Sequence, residues 1–169
     1  MTRAANRSAW VCLGVSLVAL GGLAGAARLA PAAAMINESP SLPRGLYLRQ
    51  PEGDLGRGRI VAVPQPGAAR PYLASIGMPR EVALIKRVAA VGGDRVCVTE
   101  GRVWTPAGDR PVLRRDSRGA ALPVWAECRR LGAHEVFLLG DTAGSFDSRY
   151  FGPVDRSVVI GAYREMLTW

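Results

Sequence analysis

The strongest hydrophobic pattern lies at the N-terminus, where residues 8–27 run for 20 positions without a charge. As a helix that length rises roughly 30 Å, the thickness of a bilayer's hydrocarbon core. No polar face recurs through it, which argues against a core helix of a globular domain. Arg3 and Arg7 precede the run and no acidic residue appears before Glu38. The positive-inside rule then predicts residues 1–7 in the cytoplasm, a transmembrane anchor over 8–30 and an exported domain over 31–169. A cleaved leader is the alternative, because Ala30-Pro-Ala-Ala-Ala34 offers small residues for processing; the run is longer than the 7–15 apolar residues of a usual leader.

Beyond the anchor the pattern changes to short alternating or wholly apolar stretches between breakers. Strands are predicted over 45–49, 59–63, 82–91, 95–99, 102–105, 135–139 and 157–168, with a tight hairpin at Glu100-Gly101. Only residues 69–76 and the stretch around 116–130 leave room for short helices, and neither has a clear 3.6-residue period. The 20 Gly and 12 Pro punctuate the chain at short intervals. The expected fold is mainly β, one compact β-rich exported domain behind a single N-terminal helix.

Composition sharpens this. The chain is 49% hydrophobic and 21% charged, so a packed core is available. Its net charge of +8 suits the anionic surface of a lipid bilayer. Nucleic acid is not expected as a partner, because aromatics are only 7% and are not interleaved with the arginines. Cys12 falls in the apolar run. Cys97 and Cys128 are the two cysteines of the exported part, open to a bridge closing a loop of about 30 residues or to two separate thiols. No metal or cofactor is expected: there is no Cys-x-x-Cys, and His134-Glu135 lacks the second histidine of a zinc helix.

Nucleophile elbows, Walker loops and dinucleotide fingerprints are absent. A triad would depend on His134, the single histidine, beside an apolar strand. Lys86 is the more informative residue. It is the one lysine among 22 basic residues, and alternation sets it on a face with Val82, Leu84, Val88 and Ala90. An amine on an apolar face loses charge readily and becomes a general base, whereas arginine does not deprotonate.

Three stretches then resemble a known family. Asn37-Glu-Ser-Pro-Ser-Leu-Pro-Arg-Gly-Leu-Tyr47 is similar to a nucleophile box. Ala83-Leu-Ile-Lys-Arg-Val-Ala-Ala-Val-Gly-Gly-Asp-Arg-Val96 is similar to a lysine box. Phe137-Leu-Leu-Gly-Asp-Thr-Ala-Gly-Ser-Phe-Asp-Ser-Arg-Tyr-Phe-Gly-Pro-Val154 is similar to a C-terminal Gly-Asp…Ser-x-Asp-Ser-Arg box. In this order they resemble the serine–lysine type I signal peptidases, closest to the conjugative-transfer, TraF-type branch.

The resemblance implies Ser41 as nucleophile and Lys86 as general base. Ser39 and the Ser41 N–H would form the oxyanion hole, Ser145 would orient the lysine, and Asp147 and Arg149 would pair structurally, with Gly140-Asp141 a structural turn. It implies a monomeric enzyme, single-pass in the bacterial inner membrane with its catalytic domain on the periplasmic side. Its substrate would be a membrane-inserted precursor of pilin or conjugative type, cut close to the bilayer, since Ser41 follows the uncharged run by 14 residues. A housekeeping signal peptidase is the alternative within the class. A non-catalytic assembly factor of a conjugation apparatus is the alternative outside it, and should have lost Ser41 or Lys86.

Overall fold

The structure is a computed structural model and describes residues 32–51 and 55–169. The expected cytoplasmic end over 1–7, the anchor over 8–30 and Cys12 lie outside the described residues. Among the described residues no helix is long and apolar enough to cross a membrane.

Residues 33–169 form one unit built on two antiparallel sheets. Seven strands make the larger sheet: β1 (Ala34–Asn37), β2 (Gly45–Arg49), β3 (Ile60–Val63), β4 (Leu84–Val91), β9 (Glu135–Leu139), β10 (Val154–Asp155) and β11 (Gly161–Thr168). Their order is β1-β2-β11-β3-β4-β9-β10. The smaller sheet has the order β7-β6-β5-β8, from β5 (Arg95–Thr99), β6 (Arg102–Thr105), β7 (Gly108–Pro111) and β8 (Cys128–Arg130). Two short helices complete the unit, α1 (Arg70–Ser75) and α2 (Ser148–Phe151). The domain is mainly β, as its sequence predicts.

The central strands are covered on both faces, which is why they read as continuous apolar runs rather than alternations. Val61, Val63, Leu84, Val88, Val136 and Leu138 face a core closed by Leu73 of α1 and Phe151 of α2. On the opposite face Ile60, Ala62 and Ile85 pack with Leu42, Tyr47 and Tyr163. Farther along that face Phe137 and Leu139 meet Val96 and Val103 of the smaller sheet. The larger sheet is thus the shared wall of three clusters.

Turn chemistry behaves as expected where it is local. Glu100 and Gly101 both have positive φ, 50° and 73°, and close the β5–β6 hairpin with Thr99 opposite Arg102. Two positive φ values define the mirror-image turn whose twist matches paired strands. The helix expected near 69–76 forms as α1, with Pro71 in its first turn, where no backbone donor is required.

Three expectations are corrected. No helix forms over 116–130. The Asp116 carboxylate accepts the N–H groups of Arg118 and Ala120 at 2.9 and 2.8 Å, Gly119 turns the chain at φ +83°, and β8 follows. An Asp that caps its own following amides stabilises a turn over a helix. Strand β4 starts at Leu84, leaving Val82 outside it and 44% exposed. Its register also shifts between Val88 and Ala90, so Ala90 faces Phe137 and the second cluster, away from Lys86. The inserted residue of a β-bulge reverses the alternation, which a strict period of two does not anticipate. The last strand begins at Gly161, because Arg156–Val158 form a 3-10 turn capped by Asp155.

Cys97 and Cys128 stand opposite each other in the β5–β8 register and are bridged.

Candidate active site

Ser41 lies in the turn between β1 and β2, 7% exposed, and Lys86 lies in the middle of β4, 4% exposed. They come from parts of the chain 45 residues apart and line one cleft of about 820 Å³. Ser39, Leu84, Ile85 and Phe146 contribute to the same walls. Ring stacking of Phe146 on Tyr72, with centroids 4.4 Å apart, stiffens one side.

Lys86 reaches this position because β4 is a central strand. It pairs with Val61, and its neighbours on the same face, Leu84 and Val88, are buried in the core. Among the described residues it makes no ion pair. Burial lowers its pKa from 10.5 to about 8; the nearby Asp147 carboxylate opposes that fall, and Arg149 adds to it. The environment is therefore one that favours a neutral amine.

The turn carrying Ser41 is held from several sides. Its carbonyl accepts the Asp141 N–H at 2.6 Å. Gly140 is required beside it: a Cβ there would overlap Ser145 Oγ and lie 2.8 Å from the Ser41 carbonyl oxygen. The Asp141 carboxylate in turn takes two hydrogen bonds from Arg87, at 3.1 and 2.9 Å, and Arg87 also reaches Glu165. Arg87 follows Lys86 directly, so one bidentate pair ties the lysine strand to the backbone that grips the serine turn.

Below this lies a fully buried ion pair. The Asp147 carboxylate receives Arg149 Nε and Nη2, both at 2.8 Å, together with the Gly140 N–H at 2.8 Å. Both side chains are 0% exposed. The Arg149 guanidinium continues to the carbonyls of Thr142, Ala143 and Ser145, at 3.2, 3.1 and 2.8 Å, and of Pro111 at 2.7 Å. It organises the loop that presents Ser145, with its donors and the acceptors around them satisfied; a buried pair persists only under such conditions.

Ser145 is 2% exposed, and its hydroxyl oxygen is the one buried side-chain polar atom without a hydrogen-bond partner among the described residues. The hydrogen bond to the lysine that sequence resemblance implied is thus not made. Ser39 lies beside the Ser41 N–H. Its hydroxyl donates to Asn37 Oδ1 at 2.9 Å, and its oxygen accepts the Ser41 N–H at 3.4 Å. His134 is exposed and does not line the cleft.

Sequence reasoning gave no role to Asn37 or Arg87, and read Gly140-Asp141 as a structural turn without its grip on the Ser41 carbonyl. An Asn two residues before a turn serine was the available signal for the first, since Asn side chains bond backbone two residues on. The others depend on long-range pairing.

The β fold thus brings Ser41 and the buried Lys86 into one cleft. Family comparison places it: residues 7–169 match the model for signal peptidase, peptidase S26, and the chain belongs to that peptidase family. Plasmid transfer protein TraF of Escherichia coli is 38% identical over 170 residues, covering 90% of this chain and 94% of that protein. Conjugal transfer protein TraF of Agrobacterium tumefaciens strain 15955 is 34% identical over 154 residues, covering 79% and 82%. A signal peptidase I from Enterococcus faecalis V583 aligns at 19% identity with a TM-score of 0.40, over 66% of this chain and 98% of that one.

Proposed function

We propose that this chain is a membrane-anchored serine endopeptidase of conjugative transfer, cutting a membrane-inserted precursor at the outer face of the inner membrane with Ser41 as nucleophile and Lys86 as general base. The observation that carries this is Lys86 itself, buried, without an ion-pair partner among the described residues, and lining the cleft of Ser41. Membership of the S26 peptidase family and likeness to plasmid transfer proteins support the class of reaction and the setting. The uncharged run over residues 8–27 supports the anchor.

In this reading neutral Lys86 Nζ takes the Ser41 hydroxyl proton as Oγ attacks the scissile carbonyl. The C–N bond then breaks, the lysine ammonium returns the proton to the leaving amine, and Ser41 carries an acyl ester. A water deprotonated by Lys86 attacks the ester, releasing the carboxylate product and restoring Ser41. The Ser41 N–H and the Ser39 hydroxyl stabilise the oxyanion, each donor being worth about 2.7–4 kcal/mol when lost. Ser145 is the residue that would orient the lysine nitrogen in this reading.

The test is processing of a pilin-type precursor by the detergent-solubilised full chain, read by mass spectrometry, with Lys86→Arg and Ser41→Ala beside wild type. Arginine keeps the charge and cannot act as a base. Cleavage by wild type alone is expected. Cleavage by Lys86→Arg at the wild-type rate would rule out the mechanism, and inactivity of folded wild type on pilin-type and general exported precursors alike would favour a non-catalytic assembly role.

A further inference from the structure

Asn37 ends β1 opposite Gly45 and is 5% exposed, though neither its hydrophobicity nor its place in a strand calls for burial. Its side chain is the hub of the serine turn. Nδ2 donates to the carbonyls of Ser39, Leu42 and Pro43 at 3.0, 3.0 and 3.1 Å, bracketing Ser41 on both sides. Oδ1 accepts the Ser39 N–H at 3.2 Å and the Ser39 hydroxyl at 2.9 Å. The Ser39 oxygen, fixed in this way, faces the Ser41 N–H.

We infer that Asn37 is a positioning residue for the oxyanion hole: it holds Ser39 Oγ and the Ser41 N–H together, with the Ser39 hydroxyl proton parked on Oδ1 until a tetrahedral intermediate forms. This rests on the peptidase reading above. A serine hydroxyl has one proton, so Ser39 donates either to Asn37 or to an oxyanion. The exchange needs only rotation of the O–H about the Cβ–Oγ bond. It replaces a neutral acceptor by an anionic one, and charge-assisted hydrogen bonds are stronger. The transfer is therefore downhill only when negative charge develops, which makes Ser39 a donor selective for the transition state. The amide end of Asn37 keeps the turn from moving while the oxygen end gives the hydroxyl up.

The experiment measures kcat and KM of the detergent-solubilised full chain on a fluorogenic peptide spanning an Ala-x-Ala processing site. Variants are Asn37→Ala, Asn37→Asp, Ser39→Ala and the Asn37→Ala/Ser39→Ala double, with Ser41→Ala and Lys86→Ala as controls. Asn37→Ala is expected to lower kcat by roughly 10- to 100-fold with KM within about twofold, as for a small misplacement of reacting groups. The double variant should be no more than about threefold worse than the worse single, because both changes remove one device. Asn37→Asp preserves shape, cannot donate to the three carbonyls, and holds the Ser39 proton more tightly; it should lose kcat in the same way. It keeps the question answerable if the alanine variant unfolds. Losses that multiply in the double, a fall expressed in KM alone, or wild-type kcat in a folded Asn37→Asp would overturn the inference. Activity surviving in Ser41→Ala or Lys86→Ala would overturn the peptidase mechanism instead, so the two failures are distinct.

Discussion

Processing activity should rise with pH through a single ionisation near 8, because the proposed base works only when neutral. Burial of Lys86 brings its pKa from 10.5 to about 8. With that value about 1% of the amine is neutral at pH 6, about 10% at pH 7 and about 90% at pH 9. An unshifted lysine would be neutral in only about 0.03% of molecules at pH 7, so burial raises the competent fraction roughly 300-fold. The assay is kcat/KM of the solubilised full chain on a fluorogenic Ala-x-Ala peptide from pH 6 to 10 at constant ionic strength. It should climb about tenfold per pH unit at low pH and level off above pH 8–9. A flat profile between pH 6 and 9, or a midpoint above 10, would refute the reasoning.

The same burial acts on folding. Between about 8 and 10.5 the unfolded chain keeps the Lys86 proton that the folded chain has released. Stability therefore increases with pH across that window, and below 8 the buried charge costs its full amount, about 3 kcal/mol. Lys86→Met, which keeps the stem and removes the amine, should abolish processing yet gain up to about 3 kcal/mol at pH 7 in urea unfolding. The gain should shrink toward zero by pH 10.5; a gain independent of pH would show that packing, not charge, is responsible.

Further outcomes follow from particular contacts. Gly140→Ala places a Cβ on Ser145 and 2.8 Å from the Ser41 carbonyl, and should reduce kcat by about 100-fold as the serine turn shifts, read in the same peptide assay. Arg149→Met strands the Asp147 carboxylate at 0% exposure and should cost about 3–5 kcal/mol in urea unfolding. Cys97→Ser with Cys128→Ser opens a link across 31 positions and should lower stability by about 3–4 kcal/mol, matched by the wild type under reducing conditions.

Much of this protein is legible in its chain. Strands 45–49, 95–99, 102–105 and 135–139 form over their predicted residues, because local pattern and turn chemistry agree there; Glu100-Gly101 needs no distant contact to make its hairpin. The boxes around Ser41, Lys86 and Ser145 also stand out in sequence, since chemistry constrains residue type at short range. Strands β1, β7, β8 and β10 do not stand out. They run at sheet edges over two to four residues, too short for a pattern to show, and β8 and β10 also take their backbone hydrogen bonds from partners well back along the chain. The bulge near Ala89 likewise depends on how β4 meets β9, and it moved Ala90 to the other face.

The site divides in the same way. Sequence alone singles out a solitary lysine, and its resemblance to the serine–lysine peptidases adds Ser41 and the Asp147–Arg149 pair. Only the tertiary structure removes Lys86 from water, ties Arg87 to Asp141 behind the serine turn, and gives Asn37 five hydrogen bonds around Ser41. The reason is that residue identity fixes what a group can donate, accept or titrate. Its solvation and its partners, which decide whether an amine is a cation or a base, are properties of the folded surroundings.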